Sequence, residues 1–391
     1  MSIYLDHAAT TPLRAEVLEA MLPYLEEHWG NPSSIHASGR RARQGLDEAR
    51  EIVARELGCR AREIVFTSGG SEADNLALKG VAWAGSAGGR HLVTTAVEHK
   101  AVLHSCAVLE RHGFEVTYLP VDRHGRVDPA DVSAALTDHT TLVSVMYANN
   151  EVGTIQPIAE IAAICRGRGV SFHTDAVQAA AFLPLAVDSL QVTLLSLGAH
   201  KIYGPKGVGA LYVRQGTQLL PQQSGGSQER QRRAGTEDVA AIVGFARALE
   251  LVHTDTAARE AENARLVGLR DHLLSGLLQI PGTMITGHPT ERLPNSASVV
   301  FEGVEGGDLV AALDLEGIEA STGSACTTGA VDPSHVLLAM GIDPGLARGS
   351  LRLTLGRGTS QQDVDRALEL TGVIVGRLRA SVARAAIPSP A

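Results

Sequence analysis

Glu63-Ile-Val-Phe-Thr-Ser-Gly-Gly-Ser-Glu-Ala-Asp-Asn-Leu-Ala-Leu-Lys79 runs from a short apolar segment, Ile64 to Thr67, through two glycines and into a helical stretch. The segment has the length and apolar character of a buried strand, and the glycines allow the tight turn into the helix. The same alternation continues to Val213, with strand-like runs at His91 to Thr95, Glu115 to Leu119, Leu142 to Tyr147, Val170 to Thr174 and Val192 to Leu197. Ala- and Leu-rich helical stretches separate them, which predicts an α/β fold with a mainly parallel sheet flanked by helices. Two helix starts are marked: Asp128 precedes Pro129 as an N-cap, and Ser71-x-x-Asp74 reads as a capping box.

After Thr236 the pattern changes. Val239, Ile242, Val243, Ala246, Leu249 and Val252 form a helical stripe that resumes at Leu266, Leu269, Leu273 and Leu277, one long or broken passage leaving the first domain. Beyond Pro294 come a strand (Ser298 to Phe301), a helix (Asp308 to Leu315), a small-residue loop, a strand (Leu351 to Leu355) and a final helix from about Gln361, a second and smaller α+β domain. The tail Ala386 to Ala391 is expected to fray. At ~100 to 200 residues per domain, a length of 391 residues favours two domains, with three as the alternative.

Lys and Arg number 34 and Asp and Glu 43, so 34 − 43 = −9. That balance offers no basic footprint for nucleic acid or an anionic membrane, and points to small molecules or proteins as partners. The four cysteines, Cys59, Cys106, Cys165 and Cys326, are too far apart for a CxxC pair and too few for a disulfide framework. With Asp6 where a signal peptide needs an apolar run, and no segment of ~18 apolar residues, a soluble cytoplasmic protein is expected.

Ligands of open parallel sheets sit beyond the carboxyl ends of the strands, and the chemistry-bearing residues collect there. Thr67-Ser-Gly-Gly-Ser-Glu72 offers backbone N–H groups and a helix N-terminus to an anion, although a bare connection would look the same. His173-Thr-Asp-Ala-Val-Gln178 ends a strand on an acid, which is either a helix N-cap or the partner of a protonated ring nitrogen. Lys201, between an apolar strand and a Gly/Pro turn, is either a snorkelling lysine or a desolvated amine able to form an imine. Ser321-Thr-Gly-Ser-Ala-Cys-Thr-Thr-Gly-Ala330 contains only small side chains, so a mobile loop with Cys326 as an accessible nucleophile is expected; the other cysteines read as helix filler. In Ser350-Leu-Arg-Leu-Thr-Leu355 the leucines share one strand face and Arg352 the other, where it is a carboxylate clamp or a solvated surface residue. Fifteen histidines show no HExxH or paired spacing, and no metal is assigned.

Together with Tyr4-Leu-Asp-His-Ala-Ala-Thr-Thr-Pro12, Gly30-Asn-Pro-Ser33, Glu98-His-Lys-Ala-Val102, Asn149-Asn-Glu-x-Gly153, His200 to Gly207, Arg233-Ala-Gly-Thr236 and Ser324-Ala-Cys326, these segments resemble the group I cysteine desulfurases, the NifS/IscS-like branch of the class V aminotransferase family. The resemblance spans almost the whole chain. It implies a pyridoxal 5'-phosphate (PLP) enzyme of fold type I, a homodimer, with a large PLP-binding domain over 13–254 and a small domain of 1–12 and 255–391 carrying the cysteine loop. The implied reaction converts L-cysteine to L-alanine with the sulfur kept as an enzyme persulfide, for protein acceptors such as iron-sulfur scaffolds or tRNA-thiolation proteins. A selenocysteine lyase or another class V aminotransferase or lyase is the alternative, and Cys326 discriminates between them.

By the same resemblance Lys201 is the lysine that bonds the cofactor, Asp175 the partner of its pyridine nitrogen, and His99 the residue stacked on its ring. Gln178 donates to the phenolic oxygen, Asn150 contacts cofactor and substrate, and Gly70, Ser71 and His200 bind phosphate, with Thr236 reaching the phosphate of the other subunit. Arg352 clamps the substrate carboxylate and Cys326 accepts the sulfur. The chain departs from the family pattern at Gly198, where many relatives place a serine hydroxyl on the phosphate, and at Ser71 and Gly225-Gly-Ser-Gln-Glu229, where no required group is lost.

Overall fold

The computed structural model describes residues 2–323 and 332–385. Its centre is a seven-stranded sheet ordered, edge to edge, Ile64–Thr67, Gly209–Val213, Leu194–Gly198, Ser171–Asp175, Thr140–Ser144, His91–Thr95 and Glu115–Leu119. Gly209–Val213 runs antiparallel to both neighbours, and the other pairs are parallel. The mainly parallel α/β sheet expected from the sequence is therefore present.

Successive residues of a strand face opposite sides, so each apolar strand feeds two cores. Phe66, Val93, Val143 and Leu195 pack with the helices Ala37–Leu57 and Val239–His253, whereas Val65, Leu92, Leu142 and Leu194 pack with Gly70–Gly85 and Lys100–Arg111. Ala42, Leu46, Ala49, Val53 and Leu57 form the buried stripe of Ala37–Leu57, which stops at Gly58 in the left-handed region, φ 67°. The first three strands lie where they were read. The fourth ends at Ser144 rather than Tyr147, because the Met146 N–H leaves the ladder and donates to Glu98 Oε1 at 2.9 Å.

Asp128 caps its helix through Oδ1, which accepts from Ala130 N–H at 2.8 Å. The expected Ser71-x-x-Asp74 box does not form. The helix already begins at Gly70 behind Gly69, φ 146°, so Ser71 lies in its first turn; Ser68 N–H is taken by Glu72 Oε2 at 2.7 Å, and Asp74 is buried. The helical passage after Thr236 is two helices, Val239–His253 and Thr256–Leu277, each capped by the aspartate before it. The first stays with the large core instead of leaving it, since Phe245 and Leu249 are buried there.

The second helix packs with Gln361–Ala385 against a three-stranded antiparallel sheet ordered Ser350–Thr354, Ser296–Phe301, Thr283–Ile285. Leu266, Leu273, Val299, Phe301, Leu351, Leu353 and Ile374 make a separate core. Leu5 joins it, and Ile3–Tyr4 pairs in parallel with Ile318–Glu319, so the N-terminal segment is tied to this region before it crosses to the large sheet. Among the described residues no helix is long and apolar enough to cross a membrane.

Candidate active site

A cavity of about 910 Å³ lies beyond the carboxyl ends of the parallel strands, a volume suited to a cofactor with its substrate. The turns after five strands supply its wall: Gly70 and Ser71, His99, Asn150 and Glu151, Gln178, and His200 with Lys201. Asp175, the last residue of its own strand, is buried at the same place. Arg352 enters from the small antiparallel sheet, and Ala8, Ala9 and Thr10 from the N-terminal segment.

Lys201 follows the strand Leu194–Gly198 in a single 3-10 turn. Its Nζ donates to the carbonyls of Ala8 and Ala9, the latter at 2.6 Å, so the N-terminal crossing holds the amine in the cavity. Asp175 Oδ1 accepts from Val177 N–H at 2.9 Å. The capping role offered by the sequence is thus real, but the side chain also faces the cavity. Burial pushes the Asp175 carboxyl up, with His99 and Lys201 pulling against it. His99 is the N-cap of Lys100–Arg111; its Nδ1 accepts from Ala101 N–H at 3.1 Å, which leaves the proton of the neutral ring on Nε2.

His200 is held by Thr10, Nδ1 to Oγ1 at 3.3 Å, and burial lowers its pKa to about 4, so it is a neutral hydrogen-bonding group. Gln178 donates to the Ala8 carbonyl at 2.9 Å. At Gly70 a Cβ would meet Val177 Cγ2 at 2.5 Å, so glycine keeps open the cradle at the start of the helix.

Arg352 is 3 % exposed, which rules out the solvated strand face. Its Nη1 donates to the Asn150 carbonyl at 2.9 Å and its Nη2 to Asp6 Oδ1 at 2.8 Å, while Nε has no partner among the described residues. The guanidinium is buried, oriented and short of acceptors, the state in which a carboxylate ligand is best received.

Nine of the residues singled out in the sequence therefore line one cavity: Gly70, Ser71, His99, Asn150, Asp175, Gln178, His200, Lys201 and Arg352. Thr236 is exposed and does not line it among the described residues. Cys326 lies outside the described residues. Cys59, Cys106 and Cys165 are away from the cavity, and burial pushes each thiol up to about 12, which fits the filler reading. Sequence reasoning missed Asp74, Glu151, Ser334 and His335 in the wall. Glu151 accepts from Ser334 Oγ, and its carboxyl is raised to about 7 by burial. Asp74, His99 and Asp175 place their ligand atoms within 4.8 Å of one another, geometry that a metal ion or a cationic ring nitrogen can use.

Residues 3–367 match the family model for the class V aminotransferases. The chain belongs to the class V aminotransferase family. Within this family it is 52 % identical over 378 residues to a cysteine desulfurase IscS of Methanosarcina thermophila, covering 97 % of this chain and 93 % of that protein. A cysteine desulfurase IscS of Dictyoglomus turgidum is 50 % identical, with 96 % and 95 % covered. Among solved structures, a NifS-like protein superposes with a TM-score of 0.90 at 38 % identity over 96 % of this chain and all of that one. A structure described as SspA in complex with cysteine gives a TM-score of 0.79 at 36 % identity, over 91 % and 99 %. The fold is thus the PLP-dependent transferase fold type I of these relatives.

Proposed function

We propose that this protein is a PLP-dependent cysteine desulfurase, which converts L-cysteine to L-alanine and retains the sulfur as a persulfide on Cys326. The observation that carries this reading is the convergence of Lys201, Asp175 and Arg352 on one cavity from three separate elements. The donor set fits PLP. Asp175 offers a carboxylate in a dry pocket, the Gly70 cradle opens a helix N-terminus to a phosphate, and Lys201 supplies a primary amine.

When bound, PLP supplies an electron sink for the bonds at the substrate Cα, provided its ring nitrogen stays protonated. Lys201 would hold it by its aldehyde carbon, Gly70, Ser71 and His200 by its phosphate, Gln178 and Asn150 by its phenolic edge, and His99 by its ring face. Asp175 would keep the ring nitrogen protonated, because a buried carboxylate favours a facing cation. The Lys201 amine, placed at the same point of the cavity, would also carry the Cα proton. Arg352 orients the substrate through its carboxylate.

The Cys326 thiolate attacks the substrate sulfur: the C–S bond breaks, an S–S bond forms, and the carbon left behind takes up a proton to give alanine. L-cysteine plus one thiol thus yields L-alanine plus one persulfide, with no external oxidant. The persulfide then passes to a protein acceptor, an iron-sulfur scaffold or a tRNA-thiolation protein. The two cores described above support the division into a large domain, 13–254, and a small one, 1–12 with 255–391.

A homodimer is supported by the exposed apolar side chains of Leu18, Leu22 and Leu25, whose spacing puts them on one face of the helix Ala15–Glu26. Such a group of large side chains on one face marks an association surface. Thr236, exposed and outside the cavity, is then available to the second copy.

Incubation of the purified protein with L-cysteine and a thiol reductant tests the function. Alanine and sulfide are expected in equal amounts; formation of neither overturns it. Arg352→Gln is expected to lower kcat/KM for L-cysteine by about 10²-fold, mostly through KM, because charged hydrogen bonds to a carboxylate are lost. Steady-state kinetics with PLP saturation confirmed by absorbance provide the check.

Gly198 lies in an extended conformation, φ −134° and ψ 129°, which any residue adopts. A Cβ there would sit 3.5 Å from Gly70 N and from Val177 Cγ1, ordinary contact distances. Gly198→Ser therefore fits, with its hydroxyl next to the helix start. A tenfold or greater fall in the PLP dissociation constant is expected, from a hydrogen bond to a charged group worth ~1.5 to 3 kcal/mol. Equilibrium dialysis of the two forms measures it, and equal constants would mean that backbone donors already saturate the phosphate.

A further inference from the structure

Asp74 and Asp175 bring two carboxyl groups into one buried space, from the second turn of Gly70–Gly85 and from the end of Ser171–Asp175. Their oxygens and a His99 ring nitrogen all lie within 4.8 Å of one another. Asp74 is 1 % exposed, and its Oδ1 accepts no hydrogen bond among the described residues, although His173 Nε2 stands 3.6 Å away.

The groups around the pair bring little positive charge. His173 is held between Ser144 Oγ at 2.8 Å and Ser196 Oγ at 2.9 Å, and burial lowers its pKa to about 3, so it stays neutral. His99 is also pushed down by burial. Glu98, which takes bonds from Thr95 Oγ1 and Met146 N–H, adds a third carboxyl group, raised to about 8 by burial. The Lys201 charge acts on Asp175.

Two carboxylates this close in dry surroundings do not both ionise; they share a proton. The ionised form is favoured at Asp175 by the Val177 N–H bond to its Oδ1 and by His99 and Lys201 beside it, whereas Asp74 has only the Ser196 hydroxyl, and its bare Oδ1 takes the proton.

We propose that Asp74 is a positioning residue that holds the proton of a carboxyl–carboxylate pair with Asp175, so that a single negative charge, on Asp175, faces the ring nitrogen. The inference rests on the reading of the cavity as a PLP site, but the shared proton is present in the full-length chain before PLP is added. Asp74 acts through Asp175 and does not touch the reacting atoms.

Infrared spectra of the PLP-free chain grown with carboxyl-¹³C aspartate test this directly. At neutral pH a carbonyl stretch of a protonated carboxyl group is expected that shifts with the aspartate label, which separates it from Glu98. An unlabelled band alone, or none, overturns the proposal.

Thermal unfolding of the same chain and of Asp74→Asn gives a second arm. A carboxyl whose folded pKa is raised stabilises the fold at low pH, and that contribution is lost as pH rises through the folded value. The midpoint of Asp74→Asn relative to the native chain should therefore rise by about 2 °C or more between pH 5 and pH 8. A difference that stays constant with pH overturns the proposal. PLP titration of the native chain separates the two readings: failure to bind PLP refutes the cavity assignment, whereas a flat pH difference with PLP still bound refutes the shared proton alone.

Discussion

Replacing Lys201 by alanine is expected to lower alanine formation from L-cysteine by at least about 10⁴-fold, because in the proposed reaction one amine both bonds the cofactor and moves the Cα proton. The side chain is set for both tasks by the Ala8 and Ala9 carbonyls, which accept from its Nζ. In the alanine variant those carbonyls face the cavity and are reached by water, so the fold persists and the loss is chemical. Unchanged circular dichroism with abolished turnover and no PLP fixed by borohydride is the predicted combination. Retained turnover would remove the lysine from the mechanism.

Cys326→Ala is expected to abolish sulfur transfer while leaving PLP binding intact, with alanine formation down by at least about 10³-fold. No substitute thiol is at hand. Cys106 and Cys165 are buried and Cys59 half-buried, with each thiol raised to about 12 by burial, and none lines the cavity. Alkylation and mass spectrometry after one turnover should find the extra sulfur on the peptide carrying Cys326 in the native chain and nowhere in the variant. Native-like cysteine turnover by Cys326→Ala would turn the reading towards a lyase or aminotransferase of the same family.

The fold was legible because its signal is repeated. The strands at Ile64, His91 and Glu115 begin and end where they were read; the first two are buried on both sheet faces, whereas the third lies at the sheet edge and is mostly half-buried or exposed. The candidate site residues Lys201, Asp175 and Arg352 stood out because each is an ionisable group in, at the end of, or just after an apolar strand. Arg352 could not be settled by pattern, since a two-residue period gives the face and not what covers it; the cover comes from Asn150 and Asp6, 202 and 346 residues away in sequence.

Other parts left no side-chain signal. The acceptors that hold Lys201 are backbone carbonyls of two alanines. Asp74 was misread because an acid three residues after a serine matches a helix cap, and only the left-handed Gly69 shows that the helix starts earlier. Glu151 and Ser334 meet across 183 residues, a pairing that one sequence cannot reveal.

Lys100, Lys201 and Lys206 all line the cavity among the described residues, so the identity of the cofactor-bonding amine is open to direct assignment. Borohydride reduction of the PLP-loaded chain, followed by proteolysis and mass spectrometry, should place the phosphopyridoxyl group on the peptide containing Lys201. A label on Lys100 or Lys206, or on no lysine at all, would contradict the pairing of that amine with the Asp175 carboxylate across a bound ring.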